Sequence, residues 1–119
     1  MKKREKLKRE LLESRRCLGK DGRIHKCEGQ AFIEHECQGG LHLNEVIFPR
    51  NVFQKADNKT KEYFMLNPIN LAINCAWFHE KYGHSKLYRA YFIDEQAKRF
   101  SLYKVKDFIE NNPLKVQRR

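Results

Sequence analysis

No run of apolar residues in the sequence approaches the ~20 needed to cross a bilayer, so no membrane association is expected. The basic N-terminus has no apolar stretch behind it. A secretory signal is therefore not expected, nor a disulfide-stapled secreted module, and a cytoplasmic location with reduced thiols is. There is no internal repeat, and the four cysteines form no Cys-x-x-Cys pair, the common knuckle of a structural zinc site. At 119 residues the chain is short for a multidomain enzyme but long enough to bury a core. Aromatics are not scarce: eight Phe, five Tyr and one Trp argue against a disordered chain.

Positive charge is abundant and unevenly spread. The formal net charge is +10. Residues 1–16 carry eight basic and three acidic side chains, residues 112–119 add three basic ones, and residues 17–111 hold 14 basic against 12 acidic. A basic N-terminal helix (1–16), a nearly balanced body (17–111) and a basic C-terminal tail (112–119) follow as the expected organisation. Cationic ends on a compact body suit a polyanion such as DNA. The candidate contacts are Lys2, Lys3, Arg4, Arg15, Arg16, Arg118 and Arg119 at the ends, with Arg50, Lys55, Lys59 and Lys61 in the body. Solubilising tails would leave the same charge pattern.

Residues 2–16 have strong helix formers, no Gly or Pro, and a narrow stripe of Leu7, Leu11 and Leu12, which predicts a weakly docked helix facing solvent or phosphate. Lys20-Asp21-Gly22-Arg23 is a hairpin-type turn signal. Residues 24–27 and 31–36 read as short strands, and Gly39-Gly40 as a tight turn. Residues 44–53 are ambiguous between helical turn and strand. Residues 56–61 read as a polar loop, residues 70–73 as a short strand or cap, and residues 74–82 as a helix stopped by Gly83. Residues 85–100 are the clearest helix, with Leu87/Tyr91 and Tyr88/Phe92 spaced to share its apolar side. A last short helix spans 104–111.

The Cys and His residues all lie between Cys17 and His84. Three segments carry the chemistry: Glu34-His35 before Gly39-Gly40, then Asn70-Leu71, then the run from Cys75 through His79 to His84. Phosphodiester hydrolysis needs a base to activate water and a cation to stabilise the phosphate and leaving oxygen. A strand end supplying Glu34 and a helix supplying His79 would give one divalent ion an oxygen and a nitrogen ligand, with His35 beside it as a neutral base. His84 follows His79 by five positions, so Gly83 must unwind the helix end for both to face one ion. Cys17, His25, Cys27 and Cys75 could surround a zinc, and buried thiols would have the same irregular spacing.

These ordered elements resemble the HNH endonucleases, the ββα-metal nucleases, and in residues 27–35 small phage-encoded members of that family. The resemblance covers about residues 17–85. It implies an α+β fold: a small ββα-metal core, a short β-hairpin plus helix, with flanking helices. It also implies a metal-dependent DNA endonuclease or nickase. In that role His35 is the general base, Glu34, His79 and His84 hold the metal, and Asn70 orients the loop and the His35 ring. Mg²⁺ or Mn²⁺ would serve, with Zn²⁺ or Ni²⁺ as other options. One site cuts one strand at a time, so double-strand cleavage would call for two copies, as in a homodimer, or for two successive events. Residues 41–69 fall in an insertion between the two halves, which could carry a DNA-contacting loop. Two alternatives stand beside the nuclease: a non-catalytic zinc module that binds nucleic acid, and a structural or packaging accessory protein.

Overall fold

A computed structural model describes residues 2–83 and 85–117, the side chains of residues 116 and 117 excepted. The first helix, α1 (Lys2–Ser14), forms where uninterrupted helix formers predict it. It is docked more firmly than its sparse apolar stripe suggests. Leu11 is buried against Leu71 and Ile73, with Leu7 and Leu12 alongside. Arginines near both of its ends reach into the body. Arg4 donates to the carbonyls of Met65 and Leu43. Just past the helix, Arg15 donates to the carbonyls of Leu71 (2.9 Å) and Pro68 (3.0 Å).

A short hairpin follows, β1 (Cys17–Leu18) against β2 (Ile24–His25), turning at the expected Asp21-Gly22. Residues 31–36 form no strand. A 3-10 turn occupies Glu28–Ala31 and residues 32–40 run as an irregular loop. Gly39 and Gly40 end that loop with φ of 81° and 76°, a backbone region where a Cβ is strained. At Gly39 an added Cβ would also stand 2.7 Å from the Ala76 Cβ.

The central sheet is β3 (Leu41–Glu45) paired antiparallel with β4 (Leu71–Cys75), in a register that sets Leu41 opposite Cys75 and Glu45 opposite Leu71. The two strands are distant in sequence. Between them lie α2 (Arg50–Phe53), α3 (Asn58–Met65) and a 3-10 turn at Pro68–Asn70. The segment read as a polar loop thus starts α3. Asp57 caps it, its carboxylate accepting the Thr60 N–H at 2.8 Å, and Phe64 anchors it in the core. After β4 come α4 (Ala76–Tyr82), α5 (Lys86–Phe100), α6 (Leu102–Glu110) and α7 (Pro113–Gln117). The architecture is α+β, with two small antiparallel two-stranded sheets among helices in the described residues.

All five residues of β4 are buried, because both faces of the sheet are covered. The face of Leu41, Leu43, Leu71 and Ile73 takes the leucines of α1. The other face meets an aromatic cluster, in which the Asn74 side-chain amide donates to the Tyr88 hydroxyl at 2.9 Å. Phe78, Tyr88 and Phe92 fill that side; Phe53, Phe64 and Phe108 fill the region under α2 and α3. Among the described residues no helix is long and apolar enough to cross a membrane.

One buried carboxylate ties these layers together. Glu28, 3 % exposed, accepts the Ile73 backbone N–H and pairs with Arg15 (3.3 Å) and Arg99 (2.9 Å). It therefore links the 3-10 turn, β4, the end of α1 and α5. Replacing it by alanine strands Arg15 without its countercharge and orphans an interior N–H. Glu28→Ala is expected to lower unfolding free energy by about 3–5 kcal/mol, and Glu28→Gln, which keeps an acceptor, by less. Urea denaturation of the two variants beside the parent checks the order.

Candidate metal centre

Cys27 precedes the 3-10 turn, His35 and Cys37 lie on the irregular loop, and Cys75 closes β4 as the residue before α4. The fold brings these four together. Their ligand atoms all lie within 4.8 Å of one another. The His35 Nε2 stands 3.4 Å from the Cys75 Sγ, 3.7 Å from the Cys27 Sγ and 3.8 Å from the Cys37 Sγ. A tetrahedral zinc with Zn–S of about 2.3 Å and Zn–N of about 2.0–2.1 Å has N···S edges of roughly 3.6 Å. The three observed N···S separations bracket that value, so the histidine stands at zinc-ligand distance from a group of three sulfurs that all lie within 4.8 Å of one another.

The surroundings orient the ligands as a metal site requires. The His35 Nδ1 lies 2.8 Å from the Ile33 carbonyl. A carbonyl only accepts, so Nδ1 carries the proton and the Nε2 lone pair faces the sulfurs. The Gln30 side chain, 2 % exposed, locks the loop by donating to the His35 carbonyl (2.6 Å) and accepting the His35 N–H (3.3 Å). The same amide donates to the Cys37 Sγ at 3.3 Å, and the Cys75 N–H donates to the Cys27 Sγ at 3.2 Å. Such N–H···S bonds favour thiolate over thiol. The imidazole is stacked on Trp77 (5.3 Å between centroids) and Phe78 (5.2 Å). Burial raises the Cys27 thiol well above its ordinary range, with the neighbouring thiols adding to the effect, and burial raises Cys37 as well. A coordinated divalent cation opposes this, since a coordinating thiol is deprotonated outright.

The expected zinc set of Cys17, His25, Cys27 and Cys75 is corrected by this geometry. Cys27 and Cys75 belong to the group; Cys17 and His25 do not. The Cys17 Sγ donates to the Cys27 carbonyl at 3.1 Å, outside the ligand cluster. The His25 Nε2 is taken by Asp21 across the hairpin at 2.9 Å. His35 and Cys37 complete the set instead. The readable signal for them was the spacing Cys27-x₇-His35-x-Cys37 running into a glycine pair. For His35, expected as a general base, the structure places one ring nitrogen on the Ile33 carbonyl and turns the other toward three sulfurs, the arrangement of a ligand.

The other candidate residues separate. Glu34 is exposed on the loop. The carboxylate that shares a recess with His79 is Glu45, at the end of β3; Pro49, Arg50, Asn51 and Gly83 complete a hollow of about 360 Å³. Glu45 is held by Arg4 (3.2 Å) and Arg50 (2.9 Å), both on the same oxygen. His84 lies outside the described residues. Asn70 is fully buried and does orient a loop, the one that follows β3. Its side-chain oxygen accepts the N–H groups of Ile47 and Phe48, and its amide donates to the carbonyls of Phe48 and Phe64. All four bonds go to backbone, so it does not reach the His35 ring.

The basic residues divide too. Lys2, Lys3, Arg16, Lys55 and Lys59 are exposed, Lys61 is half-buried, and Arg4 and Arg15 are spent inside the fold. Arg50 is tied to Glu45. Arg118 and Arg119 lie outside the described residues.

Purified protein is expected to hold one equivalent of zinc, read by elemental analysis. Cys75→Ser should lose the metal and lower the melting temperature. Cys17→Ser should retain it. Because the ligand form is thiolate, zinc uptake displaces protons, and apparent affinity should fall as pH falls, by up to about tenfold per pH unit for each proton displaced. A chelator titration at two pH values measures this. No family model, no curated protein and no solved structure matches the chain.

Proposed function

We propose that the chain is a zinc-stapled domain that binds nucleic acid through its basic surface and does not hydrolyse it. The observation that carries the zinc half of this reading is the convergence of Cys27, His35, Cys37 and Cys75, with N···S separations of 3.4–3.8 Å. Three cysteines and one histidine around one point are the ligand chemistry of a closed structural zinc. A closed site has no position free for water, so the metal's work is to hold the loop. The nucleic-acid half rests on charge: a formal net charge of +10, with Lys2, Lys3, Lys6, Arg9, Arg16, Lys20, Arg23 and Lys26 all exposed. Such a surface supplies sequence-independent phosphate contacts.

An HNH-type DNA endonuclease or nickase is the second reading. It is favoured by the hollow that Glu45 and His79 both line, a carboxylate at the end of β3 and an imidazole on α4. Against it, the guanidinium groups of Arg4 and Arg50 lie within 3.2 Å and 2.9 Å of one Glu45 oxygen. Positive charge thus stands where a divalent ion would have to approach.

Incubation of the zinc-loaded protein with supercoiled plasmid and Mg²⁺ or Mn²⁺, beside a binding assay at several salt concentrations, separates the two. The first reading expects salt-sensitive binding and intact plasmid. Nicking that is lost in His79→Ala would replace it with the second, and failure to bind any nucleic acid at low salt would overturn the binding half of both.

A further inference from the structure

A further hollow lies apart from the residues of the metal centre and of the Glu45–His79 recess. It lies between the β1–β2 hairpin and α5, with a volume of about 460 Å³, within the range of sites that accept small molecules or parts of larger ones. Arg16, Leu18 and Lys20 line it from the hairpin side; Tyr91, Lys98 and Arg99 line it from α5. Two carboxylates also face it, Glu28 and Glu95, and both are already satisfied. Glu28 is paired with Arg15 and Arg99, and Glu95 with Lys98 at 3.1 Å. Arg16 and Lys20 are left with no carboxylate partner among the described residues. The Arg16 guanidinium bonds only to the carbonyls of Leu12 and Arg15, and no side-chain bond of Lys20 is made among the described residues. The hollow therefore presents uncompensated positive charge over an internally neutralised floor.

A second feature adjoins it. Leu18 and Ile24 sit directly opposite each other in the hairpin, and both are far out of the core, 64 % and 65 % exposed. A cross-strand apolar pair on a two-residue ladder contributes little to folding when it faces water. Arg23 and Lys26 flank it and are exposed. Cations in a hollow with an apolar platform at its rim match the two halves of a nucleotide unit, phosphate and sugar–base. Proteins that bind single strands pair a basic groove with aromatic stacking surfaces; here an aliphatic pair, Leu18 and Ile24, offers the apolar contact.

We propose that this hollow is a phosphate-binding subsite for a nucleic-acid strand, with Arg16 and Lys20 contacting the phosphodiester and the Leu18–Ile24 pair packing against the adjoining sugar and base. The proposal rests on the nucleic-acid reading for its occupant, but it names one place on a broadly basic surface. It makes this face, and not the exposed side of α1, the principal contact.

The test is fluorescence anisotropy of the zinc-loaded full chain with a labelled mixed-sequence oligonucleotide, single-stranded and as duplex, using whichever binds more tightly. Arg16→Glu with Lys20→Glu should weaken binding by at least about tenfold and flatten the salt dependence by about two units of slope, about one for each cation that no longer meets a phosphate. Lys3→Glu with Lys6→Glu on α1 should cost clearly less. Leu18→Ser with Ile24→Ser should weaken binding without changing the salt slope. Because Arg16 also caps the end of α1, Lys20→Ala alone provides a milder check, with a drop in slope of about one, and melting curves confirm that each variant folds. If the parent binds while the Arg16/Lys20 variant binds equally well, the subsite is overturned and the nucleic-acid reading stands. If the parent binds no oligonucleotide, that reading falls too. Titration with inorganic phosphate, followed at the Lys20, Ala31 and Glu95 amides by NMR, then shows whether the hollow takes a small free anion instead, which would also overturn the strand as its occupant.

Discussion

Residues 32–40 have neither helix nor strand, and their shape depends on where four ligand atoms meet. His35 and Cys37 come from this loop, Cys27 from the segment before it, and Cys75 from the end of the inner strand. An irregular segment has few backbone hydrogen bonds of its own to resist the entropy of the open chain. The Gln30 amide, the glycine pair and the stacked rings of Trp77 and Phe78 position the loop, and a shared cation would close it. In a chain this short, a metal cross-link between remote positions stabilises the native state chiefly because no such site exists in the unfolded chain.

The rest of the molecule is held by polar groups placed where the sequence would suggest solvent. Arg4 and Arg15 reach inward from an otherwise charged helix, Glu28 is buried between two guanidinium groups, and Asn70 spends every side-chain bond on backbone. Each fixes the relation of two elements that hydrophobic contacts alone would let slide. These contacts make α1 part of the body. They also remove Arg4 and Arg15 from the surface, whereas Lys2, Lys3, Lys6 and Arg9 of α1 and Arg16, Lys20, Arg23 and Lys26 around the first hairpin stay exposed.

The sequence was readable where its signals are local. The helices α1 and α5, the Asp21-Gly22 turn and the glycine pair all follow from propensity or backbone freedom at the positions concerned. The central sheet did not follow, because β3 and β4 are only five residues each and pair across an intervening stretch of two helices. Leu41 to Glu45 alternates in character, but nothing nearby announces its partner. The same non-locality hid the metal group. Cys27 and Cys75 read as ligands, but Cys17 and His25 lie closer in sequence to Cys27 than its true neighbour Cys75 does. Only the register that sets Leu41 opposite Cys75 carries that sulfur to the loop. Asn70 was legible as a positioning residue, whereas its object, the segment after β3, was not.

The chain contains a single tryptophan, and it lies against the imidazole that the three sulfurs surround, its ring plane 25° from that of His35. The Lys81 ammonium also rests over the indole, at 5.1 Å. Indole emission responds to stacked imidazole, to nearby charge and to water access, all of which depend on whether the loop is drawn in. The molecule therefore carries its own optical gauge of loop closure, readable without any label and free of interference from a second indole.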